Sequence, residues 1–220
     1  MTPRLFIFLL ISLFGITRQS TGQSYVGGAG MVNAGYMYTP GLSSSLNSIP
    51  ATSANFKNGY ATIGAEINYR RDKNVIVLSG YIGTQEAQFL HDQYLEPFIS
   101  KAHVGFGRMV YQSKSISIYP VLAAGAIQSS LIYHRAQDSD PHSVMTSPSM
   151  AIGVHFDYLL NHETINESYF NAAMISIRAG YTTGFSSARL QGWTLTVSFG
   201  GIAFLKKLSP EKYETHSRSF

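Results

Sequence analysis

The sequence contains no cysteine, so neither a disulfide framework nor a thiolate-ligated metal site is open to it. Charge is scarce as well: Asp, Glu, Lys and Arg make up 13% of the 220 residues, against roughly 25% in an average soluble domain. Lys and Arg number 16 and Asp and Glu 12, a formal charge of +4, and no basic cluster exceeds a pair. A nucleic-acid binder needs a basic face, so no nucleic-acid partner is expected. Long apolar runs are missing too: after residue 23 no stretch approaches the about 20 residues of a membrane-crossing helix. The abundant residues are 14 Tyr, 13 Phe and 20 Gly. Disordered chains are poor in aromatics and rich in charge, which excludes disorder.

Residues 1–23 read as a secretory signal peptide: Arg4 precedes an apolar run from Leu5 to Ile16, and small and polar residues follow up to Gln23. Its removal takes away Arg4 and Arg18 and no acid, so the charge falls to 14 − 12 = +2. Residues 24–205 are expected to form one all-β domain, with a polar tail over 206–220.

Period-2 alternation marks the strands. The clearest is Trp193 to Gly201, where Trp193, Leu195, Val197 and Phe199 oppose Thr194, Thr196, Ser198 and Gly200. Residues 25–38, 60–70, 150–158 and 172–182 repeat the pattern. Residues 75–83 are apolar in both phases. In 101–112, Val104 and Phe106 share a face on which Arg108 then falls, which predicts a bulge near Gly107. The run 115–133 contains Pro120, which predicts a bulge or bend. Eight strands result. Except at 161–171, the connections alternate long (39–58, 85–100, 134–147) with short (71–74, 113–114), so long loops gather at one rim and short turns at the other. Tyr36, Tyr38, Tyr81, Tyr133, Tyr181 and Trp193 fall near the long-loop rim, and Tyr69, Tyr111, Tyr158 and Phe204 near the other. Tyr and Trp favour membrane–water interfaces, so these residues predict two aromatic girdles.

On these features the chain resembles the small eight-stranded outer-membrane β-barrels of the OmpA/OmpX kind, and its Gln-ending signal is similar to those of Bacteroidota. The resemblance covers residues 25–205 and implies an antiparallel up-and-down transmembrane barrel in the outer membrane of a Gram-negative bacterium. It also implies lipid and the barrel-insertion machinery as partners. Two features depart from the family: only residues 206–220 follow the barrel, and Phe204, the aromatic end of the last strand, is not terminal.

In such a barrel the apolar face meets lipid and the small polar face fills the lumen. Glu66, Asn68, Arg70, His155, Asp157 and Arg178, with Asn33, are then luminal. Two acids and two bases balance, and the resemblance implies a salt-bridge network that plugs the interior. Arg108 joins them if the bulge shifts its phase. Within 85–99, Ala87, Leu90, Tyr94 and Phe98 have near-helical spacing and predict a short amphipathic helix on the rim. Residues 134–142 hold two His and two Asp, but in no zinc or calcium spacing, and no motif calls for a metal, cofactor or catalytic residue. Asn166-Glu167-Ser168 matches a glycosylation acceptor by chance in a bacterial context.

Three readings stay open: a structural barrel that meets an extracellular partner through its long loops; a lipid-modifying enzyme or narrow channel on the same barrel; and a soluble secreted barrel for a small apolar ligand. The last requires the opposite polarity, apolar inside and charged outside.

Overall fold

A computed structural model describes residues 25–47, 55–90, 93–113, 115–134, 139–166 and 169–206. The expected signal peptide, the tail beyond Lys206 and the Glu167-Ser168 part of the glycosylation match lie outside these residues, as do the side chains of Tyr133 and of the His/Asp cluster in 134–142.

The alternating segments become strands because each has one face to bury and one to expose. In chain order they are β1 (Tyr25–Tyr38), β2 (Gly59–Arg71), β3 (Asn74–Thr84), β4 (Gln88–Leu90), β5 (Gln93–Arg108), β6 (Tyr111–Gln112), β7 (Ile116–His134), β8 (Ser139–Asn166), β9 (Tyr169–Gly184) and β10 (Gly192–Lys206). A helix, α1 (Pro40–Asn47), lies between β1 and β2, and a single 3₁₀ turn, Ala188–Leu190, between β9 and β10. Every pairing is antiparallel. The order β5-β3-β2-β1-β10-β9-β8-β7 is closed by β5 against β7, giving an eight-stranded barrel to which the short β4 and β6 are appended. Closure leaves no open edge around the wall itself; β8 runs past it at both ends, laddered to β7 alone before Ser149 and to β9 alone after Leu159.

The faces follow the sequence pattern. Trp193, Leu195, Val197 and Phe199 point out, with Phe199 62% exposed, while Thr194, Thr196 and Ser198 are buried in the lumen. On β3, whose phase the sequence leaves open, Ile76, Leu78 and Ile82 face out and Val75, Val77 and Tyr81 face in. The expected tight turn at 71–74 is a two-residue connection, Asp72-Lys73, with Asp72 at φ 55°. Asp tolerates that left-handed conformation better than most residues. One glycine is required by close approach: at Gly125 a Cβ would run into the Ala102 carbonyl and the His103 backbone of the adjacent strand.

One expectation is corrected and two irregularities are located. The helix expected in 85–99 is a hairpin, with Gln88–Leu90 paired to Gln93–Leu95. Pro97 would break a helix interior but is accommodated on the inward face of β5 beside Leu95 and Ile99. The bulge expected near Gly107 lies on the β7 side: Gly107 pairs with Val121 but Tyr111 with Ile118, so three residues, 108–110, oppose two. The β3–β5 ladder runs unbroken from Asn74↔Arg108 to Thr84↔Phe98, so Arg108 stays on the outward phase at the rim and does not join the lumen. Pro120 causes no register shift against β8, where it pairs with Val154. It shares a hydrogen-bonding edge with Ile118, whose carbonyl accepts from Val110, and falls where the ladder passes from β5 to β6. Its missing N–H thus sits at a junction between pairings.

The helix forms where a loop is expected. Pro40 occupies its first position and Thr39 precedes it, the carbonyl of Thr39 accepting from Leu42 and Ser43. Its Ser-rich sequence has modest helix propensity, and Ser44 and Ser45 bond back to the carbonyls of Pro40 and Gly41. Packing holds it: Leu42 and Leu46 bury into the barrel mouth. Asn47 clasps the backbone of Phe56 from both sides, Nδ2 donating to its carbonyl at 3.1 Å and Oδ1 accepting from its N–H at 2.7 Å. Ser43 Oγ donates to the carbonyl of Lys57.

Candidate functional site

The lumen is filled in layers. At the short-turn end Ala29, Met31, Ala172, Met174 and Ile202 form an apolar floor, with Leu159, Phe170 and Phe204 packed against it. Val75, Val77, Met109, Tyr119 and Val121 form a second apolar cluster beside it.

The charged layer comes next. β2 presents Glu66, Asn68 and Arg70 at alternate positions; β8 presents His155 and Asp157; β9 presents Arg178. Arg178 reaches across the lumen and grips Glu66 with two bonds of 2.7 Å, Nε to Oε2 and Nη2 to Oε1. Its Nη1 also meets Asp157 Oδ1 at 3.3 Å. The other oxygen of Asp157 accepts from Arg70 Nη2 at 2.5 Å. Arg70 Nε donates to Asn68 Oδ1 at 3.0 Å, and Asn68 Nδ2 to Glu66 Oε1 at 3.4 Å. Tyr119 completes the layer: its hydroxyl accepts from Arg70 at 3.4 Å, its ring lies 5.4 Å from the guanidinium, and His155 leans on it at 5.1 Å.

Two acids and two bases thus form one connected ring, all four buried. Bidentate pairing is the strong geometry for guanidinium and carboxylate. Net stabilisation from such pairs is small because both ions give up water, whereas loss of one partner costs about 3–5 kcal/mol. All six luminal residues predicted from the sequence are brought together here. Asn33 is luminal as well, and its side-chain amide bonds to none of the described residues.

Above the ring lies a chamber of about 60 Å³. Lys101 and His103 enter it from β5, where the sequence reading assigned neither. Lys101 Nζ donates to Thr194 Oγ1 at 3.0 Å and sits 4.8 Å from the Tyr81 ring centroid. His103 Nε2 and Ser149 Oγ are 2.8 Å apart. Such a pair can activate a hydroxyl, but among the described residues no carboxylate bonds His103 to orient it. The signal that could have found Lys101 and His103 is the inward phase of Leu95, Pro97 and Ile99, which continues onto them.

The long-loop mouth is closed by a third apolar cluster. Met37, Tyr60, Leu95, Ile99, Ile127 and Leu131 from the strands meet Leu42 and Leu46 of α1, Phe56, and Leu190 of the 3₁₀ turn.

The aromatic predictions divide. Tyr36, Tyr38 and Trp193 face outward at the long-loop rim, and Tyr69, Tyr111 and Tyr158 at the short-turn rim. Tyr181 is half-buried, edge-on to Trp193 at 5.0 Å. Tyr81 and Phe204 are not on the outside. Tyr81 is only 8% exposed because its strand phase places it in the lumen. Phe204 shares the inward phase of Ile202 and packs on the apolar floor.

No protein-family model matches the chain, and no curated protein matches it. Solved structures resemble it in architecture at very low identity. Ail, the attachment invasion locus protein of Yersinia pestis, is 9% identical over 84% of this chain and 99% of its own, with a TM-score of 0.44. Neisserial surface protein A is 12% identical over 86% of this chain and 100% of its own, with a TM-score of 0.32. The outer membrane protein OprG from Pseudomonas aeruginosa is 12% identical over 85% and 97%, with a TM-score of 0.33. At these values nothing about role passes from them to this chain, and the barrel stands on its own strand ladder.

Proposed function

We propose that the chain is an integral outer-membrane β-barrel with a side-chain-filled lumen, acting structurally or in surface interaction through its long-loop rim. The observation that carries this reading is the reversed polarity. Every one of the eight wall strands exposes large apolar side chains outward, among them Val32, Ile63, Leu78, Val104, Leu122, Val154, Ile177 and Val197, while the charged ring is inside. A water-exposed surface of that composition far exceeds the apolar patches of soluble proteins. Lipid is the solvent that suits it, and a closed barrel is the all-β structure that satisfies its backbone there. The outward Tyr and Trp at both rims suit the two interfaces.

The same polarity argues against the soluble ligand-binding reading. The layered lumen argues against a wide solute path, since eight strands enclose just enough room for side chains. What remains for recognition is the long-loop rim, where the β7–β8 hairpin continues past Leu131 of the mouth cluster to His134 and Ser139.

Cell fractionation with SDS gels of boiled and unboiled samples tests this reading. The protein is expected in the outer-membrane fraction, SDS-resistant and shifting in mobility on heating. Recovery in the soluble fraction without a heat shift contradicts it.

A further inference from the structure

We infer that the chamber above the ionic ring binds a small monovalent anion, halide in size, with Lys101 Nζ as its charged ligand. Among the described residues the inward face of the strands carries three cations, Arg70, Lys101 and Arg178, against two carboxylates, Glu66 and Asp157. Glu66 also lines the chamber, but both of its oxygens accept from Arg178. Asp157 is shared between Arg70 and Arg178. Lys101 has no carboxylate partner among the described residues; its contacts are the Thr194 hydroxyl and the face of Tyr81.

An unpaired ammonium in a low-dielectric interior is costly. The face of Tyr81 offsets part of that cost. The lumen still carries one positive charge in excess, 3 − 2 = +1, which an anion in the chamber neutralises.

The donors for such an ion are in place. Lys101 carries three N–H groups, of which Thr194 engages one. Thr194 accepts that bond and keeps its own hydroxyl proton to give. His103, which lines the chamber, supplies another donor from Nδ1 in the tautomer whose Nε2 accepts from Ser149. A chamber of about 60 Å³ exceeds the roughly 10–15 Å³ that one water requires, so a halide fits with a few waters. A large organic anion does not.

The full barrel is refolded in detergent in sodium chloride or in sodium gluconate at equal ionic strength. Two readouts follow: the temperature at which the SDS heat shift is half complete, and chloride NMR line broadening on titration. A ligand that binds only the folded state raises its stability. The expected result is a higher transition temperature in chloride, with saturable broadening. Both effects should be lost in Lys101→Met and retained in Lys101→Arg, and all three proteins should show the heat shift. Equal transition temperatures in chloride and gluconate overturn the inference, as does a chloride effect unchanged in Lys101→Met. Should Lys101→Met fail to refold, Thr194→Val is used, which removes a donor and leaves the charge; undiminished chloride affinity in it counts against the site. A heat shift without a halide effect removes the anion site and leaves the membrane barrel standing.

Discussion

The ionic ring and the apolar mouth close the same lumen by opposite means. The ring joins four charges from three strands, each at a fixed register, through bonds that name their partners. The mouth joins ten apolar side chains from strands, helix, loop and 3₁₀ turn, none of which depends on one neighbour alone. A polar plug is therefore brittle and specific, whereas an apolar plug is graded. Substitutions that open one layer should affect the other little, because the chamber separates them.

The largest effect is expected from Arg178→Met. It strands Glu66 without a cation and leaves Asp157 with Arg70 only. A loss of about 3–5 kcal/mol follows, read by urea unfolding of the refolded barrel. A loss below about 1 kcal/mol would show that water replaces the arginine freely. Leu42→Ala comes next, at about 2–3 kcal/mol for the mouth cluster. Its sign in conductance separates the two plugs: more frequent openings are expected if α1 seals the mouth, and none if the ring alone seals.

A sharper contrast comes from Glu66→Leu combined with Arg178→Met. It removes both ions and leaves the Arg70–Asp157 pair intact. Stability should return to within about 1 kcal/mol of the parent, because apolar replacement of a buried ion pair is near neutral. No recovery over the single variant would mean that the ring acts as an indivisible unit. The smallest effect is expected at the rim, where Glu86→Gln breaks the exposed pair with Lys57 at 3.3 Å. Less than about 0.5 kcal/mol should be lost in urea unfolding.

The contrast also explains what could be read from the residues alone. Glu66, Asn68, Arg70, His155, Asp157 and Arg178 sit on strands with clean alternation, so phase assigned them to the lumen. Phase would likewise have placed Phe204 inward, since it continues Thr194, Ser198 and Ile202; its aromatic character at a strand end misled. Tyr81 lay on a strand that is apolar in both phases, where alternation carries no information. The mouth was illegible for a different reason. Pro40–Asn47 has a Ser-rich, weakly helical sequence, and only burial of Leu42 and Leu46 against distant strands makes it a helix. Lys101 and His103 lie in the expected strand 101–112, but Arg108 falls on the face of Val104 and Phe106, so alternation did not settle which face turns inward.

Conductance in planar bilayers tests the central claim, a lumen closed in two layers, most directly. The refolded wild-type barrel should pass no steady current, or only brief small openings. A large, steady conductance would mean that neither the ring nor the mouth seals the lumen, and would contradict the account.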